Sequence, residues 1–196
     1  LPRLAWQTAL KALAGFLAGL IVYTFLSGAY GAMVAKLTEA AIHIGERPDV
    51  TRLVPEGDYV SIDRRDFDPR SKRPSVPVSD LTFNFLILTA LFAADARTFS
   101  DRNIAGFAIA CVAIIPFHAF ALLTEVMTIY TAKLGPWSMN HYGPTSRMFW
   151  SVANHAYRLV LMYAIAFGLW WGLRPRGEAV VAKRSRAKTQ RRGRSR

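Results

Sequence analysis

The sequence predicts an all-α integral membrane protein: four transmembrane helices, with a small extracytoplasmic β-hairpin and loop insertion between the first two. Three observations carry this. Apolar residues make up 52% of the 196-residue chain and fall in blocks, with the charges between them. The last block, Phe149 to Leu173, exceeds the roughly 20 apolar residues needed to cross a hydrocarbon core about 30 Å thick. After it, residues 174–196 hold ten Lys/Arg against one acid, Glu178, a cationic end that the positive-inside rule leaves in the cytoplasm.

The net charge of +12 is therefore mostly the tail's. A basic chain ordinarily suggests nucleic acid. Here the charge sits directly after a span, and no aromatic residues are interleaved for base stacking. Lys183, Arg184, Arg186, Lys188, Arg191 and Arg192 are expected instead to be disordered and drawn to anionic lipid headgroups. Nucleic acid is not the expected partner. The lone cysteine, Cys111, allows no internal disulfide and sits in an apolar run as a small hydrophobe.

Residues 1–27 form the first expected span, its densest apolar part running from Ala12 to Leu26. That run continues past the length of a cleavable signal. Gly15 and Gly19, with Ala14 and Ala18 beside them, form a small-residue face on which another helix can approach closely. Val34, Leu37, Ala41 and Ile44 then recur at helical spacing. The helix either continues to a C-cap at Gly45 or bends at Gly28–Gly31.

The expected extracytoplasmic segment is 28–79. Thr51–Val54 and Tyr59–Ile62 read as strands around a Pro55-Glu-Gly-Asp58 turn. The charged, proline-punctuated stretch after them is expected to be irregular or extended. Asp63, Asp66 and Asp68 lack the spacing of a calcium loop and lie among Arg64, Arg65 and Arg70, which predicts surface salt bridges. Residues 80–95 form the second span, capped by Ser79 or Asp80. Leu81–Ala94 gives only about 21 Å of helix. Counting it as a crossing puts both termini on one side. The inner loop 96–103, with Arg97 and Arg102, then agrees with the positive-inside rule. The outer segment's eight Lys/Arg, matched by eight Asp/Glu, are the weak point. Spans at 104–132 and 149–173 enclose an outer loop, 133–148, rich in turn residues. Pro116 is positioned to kink the third span.

Polar residues within the spans form the candidate site. Cys111, His118 and Glu125 are spaced by seven and share one helical stripe. The antiparallel fourth span brings Asn154, His155 and Arg158 into the same outer half. Glu125 and Arg158 are expected to pair, with His118, Asn154 and His155 nearby. The structural reading is an ion pair pinning two helices; the functional reading is a polar pocket open to the outer face. Seven residues separate His118 from Glu125, and Cys111 from His118, by about 10.5 Å along the axis. That is too far for a shared metal ion or a Cys–His nucleophilic pair. No catalytic residue, metal or cofactor is expected.

Two tracts carry a family resemblance: Asn84-Phe-Leu-Ile-Leu-Thr-Ala-Leu-Phe-Ala-Ala94, and the aromatic end from Tyr157-Arg-Leu-Val-Leu-Met-Tyr163 to Trp170-Trp-Gly-Leu-Arg-Pro175. With the span–insertion–span layout, most of residues 1–175 resembles small bacterial membrane proteins that accompany exosortases, the membrane-embedded sortase-like transpeptidases. The resemblance implies a multi-pass protein of the bacterial cytoplasmic membrane. It also implies an accessory role in sorting exported proteins; the Cys/Arg/His set of the transpeptidase is not recoverable here, so no catalytic residues are carried over. The expected function is thus a non-catalytic scaffold subunit associated with other membrane proteins. The rival is an intramembrane enzyme or proton-coupled carrier using His118, Glu125, His155 and Arg158.

Overall fold

The computed structural model describes residues 2–46, 49–67, 72–95 and 98–174. The six basic tail residues from Lys183 to Arg192, together with Asp68, Arg70 and Arg97, lie outside the described residues.

Helix α1 (Pro2–Gly45) runs unbroken for 44 residues, about 66 Å at 1.5 Å each. Of the two alternatives for this segment, the continuous one is found. Gly28 has open space around it and Gly31 only ordinary contact with Val78, so nothing there displaces a helical hydrogen bond. Three helices are long and apolar enough to cross a membrane: Ala5–Gly45, Asp101–Lys133 and Pro144–Leu173. A fourth, Val78–Ala93, is apolar but short.

Beyond α1 lies a three-stranded antiparallel sheet, β1 (Thr51–Glu56), β2 (Tyr59–Arg64) and β3 (Ser75–Pro77), in the order β1-β2-β3. The hairpin turn is tighter than the sequence suggested. It consists of Gly57 and Asp58 alone, with positive φ at Gly57 only. That is the requirement of a type II′ turn, whose twist matches the strands it joins. Strand β3 was expected only as irregular or extended chain. It pairs because Val76, 1% exposed, completes an apolar face with Leu53, Val60 and Ile62. This face packs on Val34 and Ile42 of α1 and on Leu122 and Val126 of a later helix.

Both sheet edges are blunted. Along β1 the outward groups belong to Thr51, Leu53 and Pro55. Leu53 N donates to Glu39 Oε2 at 2.7 Å, Thr51 N donates to Glu46 Oε2 at 3.0 Å, and His43 Nε2 donates to Thr51 O at 2.8 Å. Pro55 has no N–H to leave open. On β3, Val78 N donates to Asp58 O and Ile62 N donates to Pro74 O, so the outward positions are Ser75 and Pro77. Prolines thus occupy edge positions where a missing donor does no harm.

Helix α2 (Val78–Thr82) begins where β3 ends, and α3 (Asn84–Ala93) follows after an irregular residue at Phe83. The N-cap is Pro77, with no side-chain cap, rather than Ser79 or Asp80. Burial of Val78 beneath the sheet starts the helix early. Ser100 does cap α4 (Asp101–Ala113), accepting from Asn103 N. Ile114 separates α4 from α5 (Ile115–Thr128). Pro116 cannot donate to Val112 O and its ring crowds that carbonyl, which accounts for the break.

Helix α5 ends in a π turn, Ile129–Lys133, followed by α6 (Pro136–His141) and α7 (Pro144–Ala156). The expected outer loop 133–148 is therefore largely helical, each helix opening on a proline suited to a first turn. A second π turn, Tyr157–Leu161, leads into α8 (Met162–Leu173). The larger core lies under the sheet; a smaller one, Leu88, Phe92, Ala110 and Ile114, lies at the opposite end.

The small-residue face of α1 is in contact with α3. A Cβ built on Gly15 would lie 2.3 Å from Ala93 Cβ, and one on Gly19 2.3 Å from Thr89 Oγ1. Ala14 and Ala18 are exposed and line a cavity beside this contact, with Gly15 and Ala93. Gly106 likewise lets α4 approach α8, its Cβ position being 2.6 Å from Leu173 O.

Candidate functional site

The polar residues singled out from sequence fall into two sets rather than one. In the first, Glu125 on α5 is 6% exposed. Its Oε1 accepts from Lys133 Nζ at 2.8 Å. Its Oε2 accepts from Asn154 Nδ2 at 2.7 Å and Arg158 Nη2 at 3.0 Å. The expected Glu125–Arg158 pair is present, and Asn154 joins it. Lys133 was missed, having been read as the start of a loop. The π turn explains the reach: one extra residue re-aims the side chains that follow, and Lys133 comes back over Glu125. Arg158 stands on the other π turn. His155 is not part of the set. It is exposed and its ring bonds back to Ser151 O at 2.7 Å, because Asn154 and Arg158 occupy the inward face that adjacent His155 cannot share.

His118 belongs to the second set. It is fully buried. Its Nε2 donates to Asn84 Oδ1 at 2.5 Å, and its Nδ1 accepts from the Tyr30 hydroxyl. These bonds tie α5 to α3 and α1 and use both ring nitrogens of a neutral imidazole. Tyr157, 0% exposed, packs beside this set, with Asn84 as polar neighbour of its hydroxyl. Neither the Tyr157 hydroxyl nor Asn84 Nδ2 has a hydrogen-bond partner of good geometry.

A third polar set lies at the sheet; its Arg64–Asp66 salt bridge is of the kind the sequence predicts, and the rest of it was not anticipated. Glu46 accepts from Thr51 Oγ1 at 2.9 Å and from Arg64 Nη1 at 2.5 Å. Thr51 Oγ1 also bonds the Tyr130 hydroxyl at 2.8 Å. The Arg64 guanidinium lies 5.1 Å from the Tyr130 ring centroid and 5.2 Å from that of Trp137, and its Nε donates to Asp66 Oδ1 at 2.7 Å. Burial works against the charge of Arg64, but Asp66 and Glu46 outweigh it and hold its pKa above the ordinary value. Burial likewise raises the Tyr142 phenol. Alternation in β1 and β2 could have flagged Thr51 and Arg64 as a cross-strand pair. Nothing local pointed to Tyr130, 79 residues from Thr51.

In the first set Asn154 Oδ1 and Arg158 Nε also lack a hydrogen-bond partner. A general base needs a lone pair within reach of substrate, and both Glu125 oxygens are occupied by cations or an amide. Among the described residues, no three His, Cys, Asp or Glu side chains come together at metal-ligand spacing. Cys111 is partly buried and takes no part in any of the three sets. Comparison with known proteins adds nothing to this geometry: no family model, curated protein or solved structure matches the chain.

Proposed function

We propose that this is a four-span protein of a bacterial cytoplasmic membrane, with both ends cytoplasmic, serving as a non-catalytic accessory or scaffold subunit of a larger membrane assembly. One observation carries the non-catalytic reading: Glu125 and His118, two of the ionisable groups within the spans, have their oxygens and nitrogens bonded to other side chains of the protein. Such bonds fix helix register rather than present reactive atoms. The four-span count is supported by the packing of the short helix. Flanked by α1, α4 and α8, α3 needs little contact with lipid, which relaxes the length requirement. The sheet, α6 and the start of α7 then form an outer head, and the arginine-rich tail stays inside.

The resemblance to exosortase-associated proteins makes protein sorting the process proposed for that assembly. The test has two parts. A reporter active only outside the cytoplasm, fused at the C-terminus, is expected to be silent, and a fusion between β2 and β3 active. Purification in mild detergent from its native host is expected to retain a membrane protein partner. A bright C-terminal fusion, or a partner-free monomer, overturns the respective half.

A carrier or enzyme is the second reading, favoured by the orphaned Tyr157 hydroxyl and Asn84 amide in the interior. Replacing Glu125 and Arg158 singly and together separates the two. Assembly restored by the double change supports the scaffold; lost function with assembly intact supports chemistry.

A further inference from the structure

The Glu125 set carries one more positive charge than it neutralises: Lys133 Nζ and Arg158 Nη2 both donate to a single carboxylate. Arg158 is bonded through Nη2, its Nε has no partner, and its side chain remains 37% exposed. It lines a pocket of about 440 Å³ between α2 and the Tyr157–Leu161 turn, together with Ser79, Asp80, Phe83, Met162 and Tyr163. That volume is within the ordinary range for a small-ligand site, about 300–1,000 Å³. The accessible lining is part polar and part apolar.

Across the pocket from Arg158 stands Asp80, exposed on α2. The two opposite charges form no ion pair with each other; Glu125 already holds the guanidinium. Groups of opposite sign that share a pocket without meeting are complementary to a ligand carrying both charges. Depth says which ligand. From Arg158 to Leu173 the chain is as long as Val78–Ala93, the short apolar helix packed beside it. Arg158 and Asp80 therefore stand at the same end of the second span, its outer end in the four-span reading. Farther in, Phe83, Tyr163 and Phe167 are exposed, the last two being four residues apart on one face of α8. Charge at headgroup level with bare aromatic surface beneath it matches a lipid rather than a solute.

We propose that the pocket binds the headgroup of an outer-leaflet phosphatidylethanolamine, its phosphate on Arg158, its ammonium on Asp80 and an acyl chain over Tyr163 and Phe167. A guanidinium suits phosphate because its planar fork presents several donors, and an ammonium–carboxylate bond is charge-assisted in the same way. Phosphatidylglycerol brings the phosphate but no cation for Asp80. Phosphatidylcholine brings a cation with no N–H to donate. The leaflet rests on the four-span topology proposed above; the choice of headgroup does not. A bright C-terminal fusion would move the site to the inner leaflet, whereas headgroup choice is read in detergent, so the two fail separately.

The experiment is native mass spectrometry of the full chain, purified in mild detergent and titrated with phosphatidylethanolamine, phosphatidylglycerol or phosphatidylcholine of identical acyl chains. One phosphatidylethanolamine per chain is expected to be retained about threefold more strongly than phosphatidylcholine, the ordinary weight of one part-exposed ion pair. The basic tail attracts phosphatidylglycerol on its own account, so that lipid is judged by its response to substitution. Asp80→Asn, on an exposed position, is expected to erase the margin over phosphatidylcholine and leave phosphatidylglycerol retention undiminished. Arg158→Lys keeps a cation for Glu125 but gives up the fork, and is expected to lower phosphatidylethanolamine and phosphatidylcholine together, about threefold. Water-soluble glycerophosphoethanolamine in large excess is expected to leave the bound lipid in place. Equal retention of phosphatidylethanolamine and phosphatidylcholine, or a margin that survives Asp80→Asn, overturns the proposal. So does displacement by glycerophosphoethanolamine, which would make a free solute the ligand.

Discussion

Substituting Gly15 with alanine is the sharpest test of how the helices are held. The added Cβ would lie 2.3 Å from Ala93 Cβ and 2.9 Å from Thr89 O. Carbon atoms in contact sit about 3.5–4.0 Å apart, so α1 and α3 must separate by more than 1 Å. Neither obstacle can rotate away, one being a methyl on the backbone and the other a main-chain oxygen. Overpacking of this kind costs about 1–3 kcal/mol. Taking about 2 kcal/mol, a chain of this size loses about 4–8 °C in Tm. Gly28→Ala is the matched control: same helix, same substitution, nothing within 4 Å. There alanine's better helix propensity, about 0.8–1.0 kcal/mol, is expected to raise Tm. Adding Ala93→Gly to Gly15→Ala should recover part of the loss and not all, since Thr89 O remains. Thermal unfolding in detergent followed by intrinsic fluorescence gives the readout. Equal shifts for Gly15→Ala and Gly28→Ala would refute close α1–α3 contact as a source of stability.

Glu125→Leu leaves Lys133 and Arg158 without their counter-charge. Breaking a buried pair costs about 3–5 kcal/mol, but the cations are 54% and 37% exposed, so a loss of about 2 kcal/mol is expected. The double variant with Arg158→Leu should regain about half of it in a thermal melt. Tyr157→Phe removes a hydroxyl that has no well-formed bond; Tm is expected to hold or rise by up to about 1 kcal/mol equivalent. A clear fall would mean the hydroxyl has a partner worth keeping and would favour the carrier reading. Arg64→Lys gives up the two-pronged contact with Glu46 and Asp66 and the stacking on Tyr130 and Trp137. A cost of about 1–2 kcal/mol is expected, seen as faster proteolysis around the sheet and a changed Trp137 emission. An unchanged cleavage rate would count against Arg64 as the link between sheet and helices.

Much of this was legible because the signals were local and periodic. The apolar blocks mark the long helices, Gly15 and Gly19 mark a close contact, and Pro116 marks a break. Glu125 and Arg158 could be paired from depth alone, since an antiparallel neighbour brings equal depths together. What escaped depends on geometry that periodicity assumes away. A regular helix of 3.6 residues per turn does not return Lys133 to Glu125, and the two π turns break that regularity without any distinctive residue to announce them. His118 went to Tyr30 and Asn84 because α1 packs along α5, with Thr38 Oγ1 bonded to Ala119 O, and periodicity within one helix does not say which neighbour its stripe meets. Strand β3 is three residues long, too short for alternation to register.

The way the sheet is finished has a consequence for what the head can touch. A small sheet with an open flank invites any extended polypeptide to line up beside it, main chain to main chain, with little regard for its sequence. Here two side chains of α1, Glu39 and His43, and that of Glu46 just after it occupy the bonding groups of one flank, and proline interrupts both. A passing unfolded segment finds no ladder to join. Contact along these two flanks falls to side chains rather than to main-chain pairing.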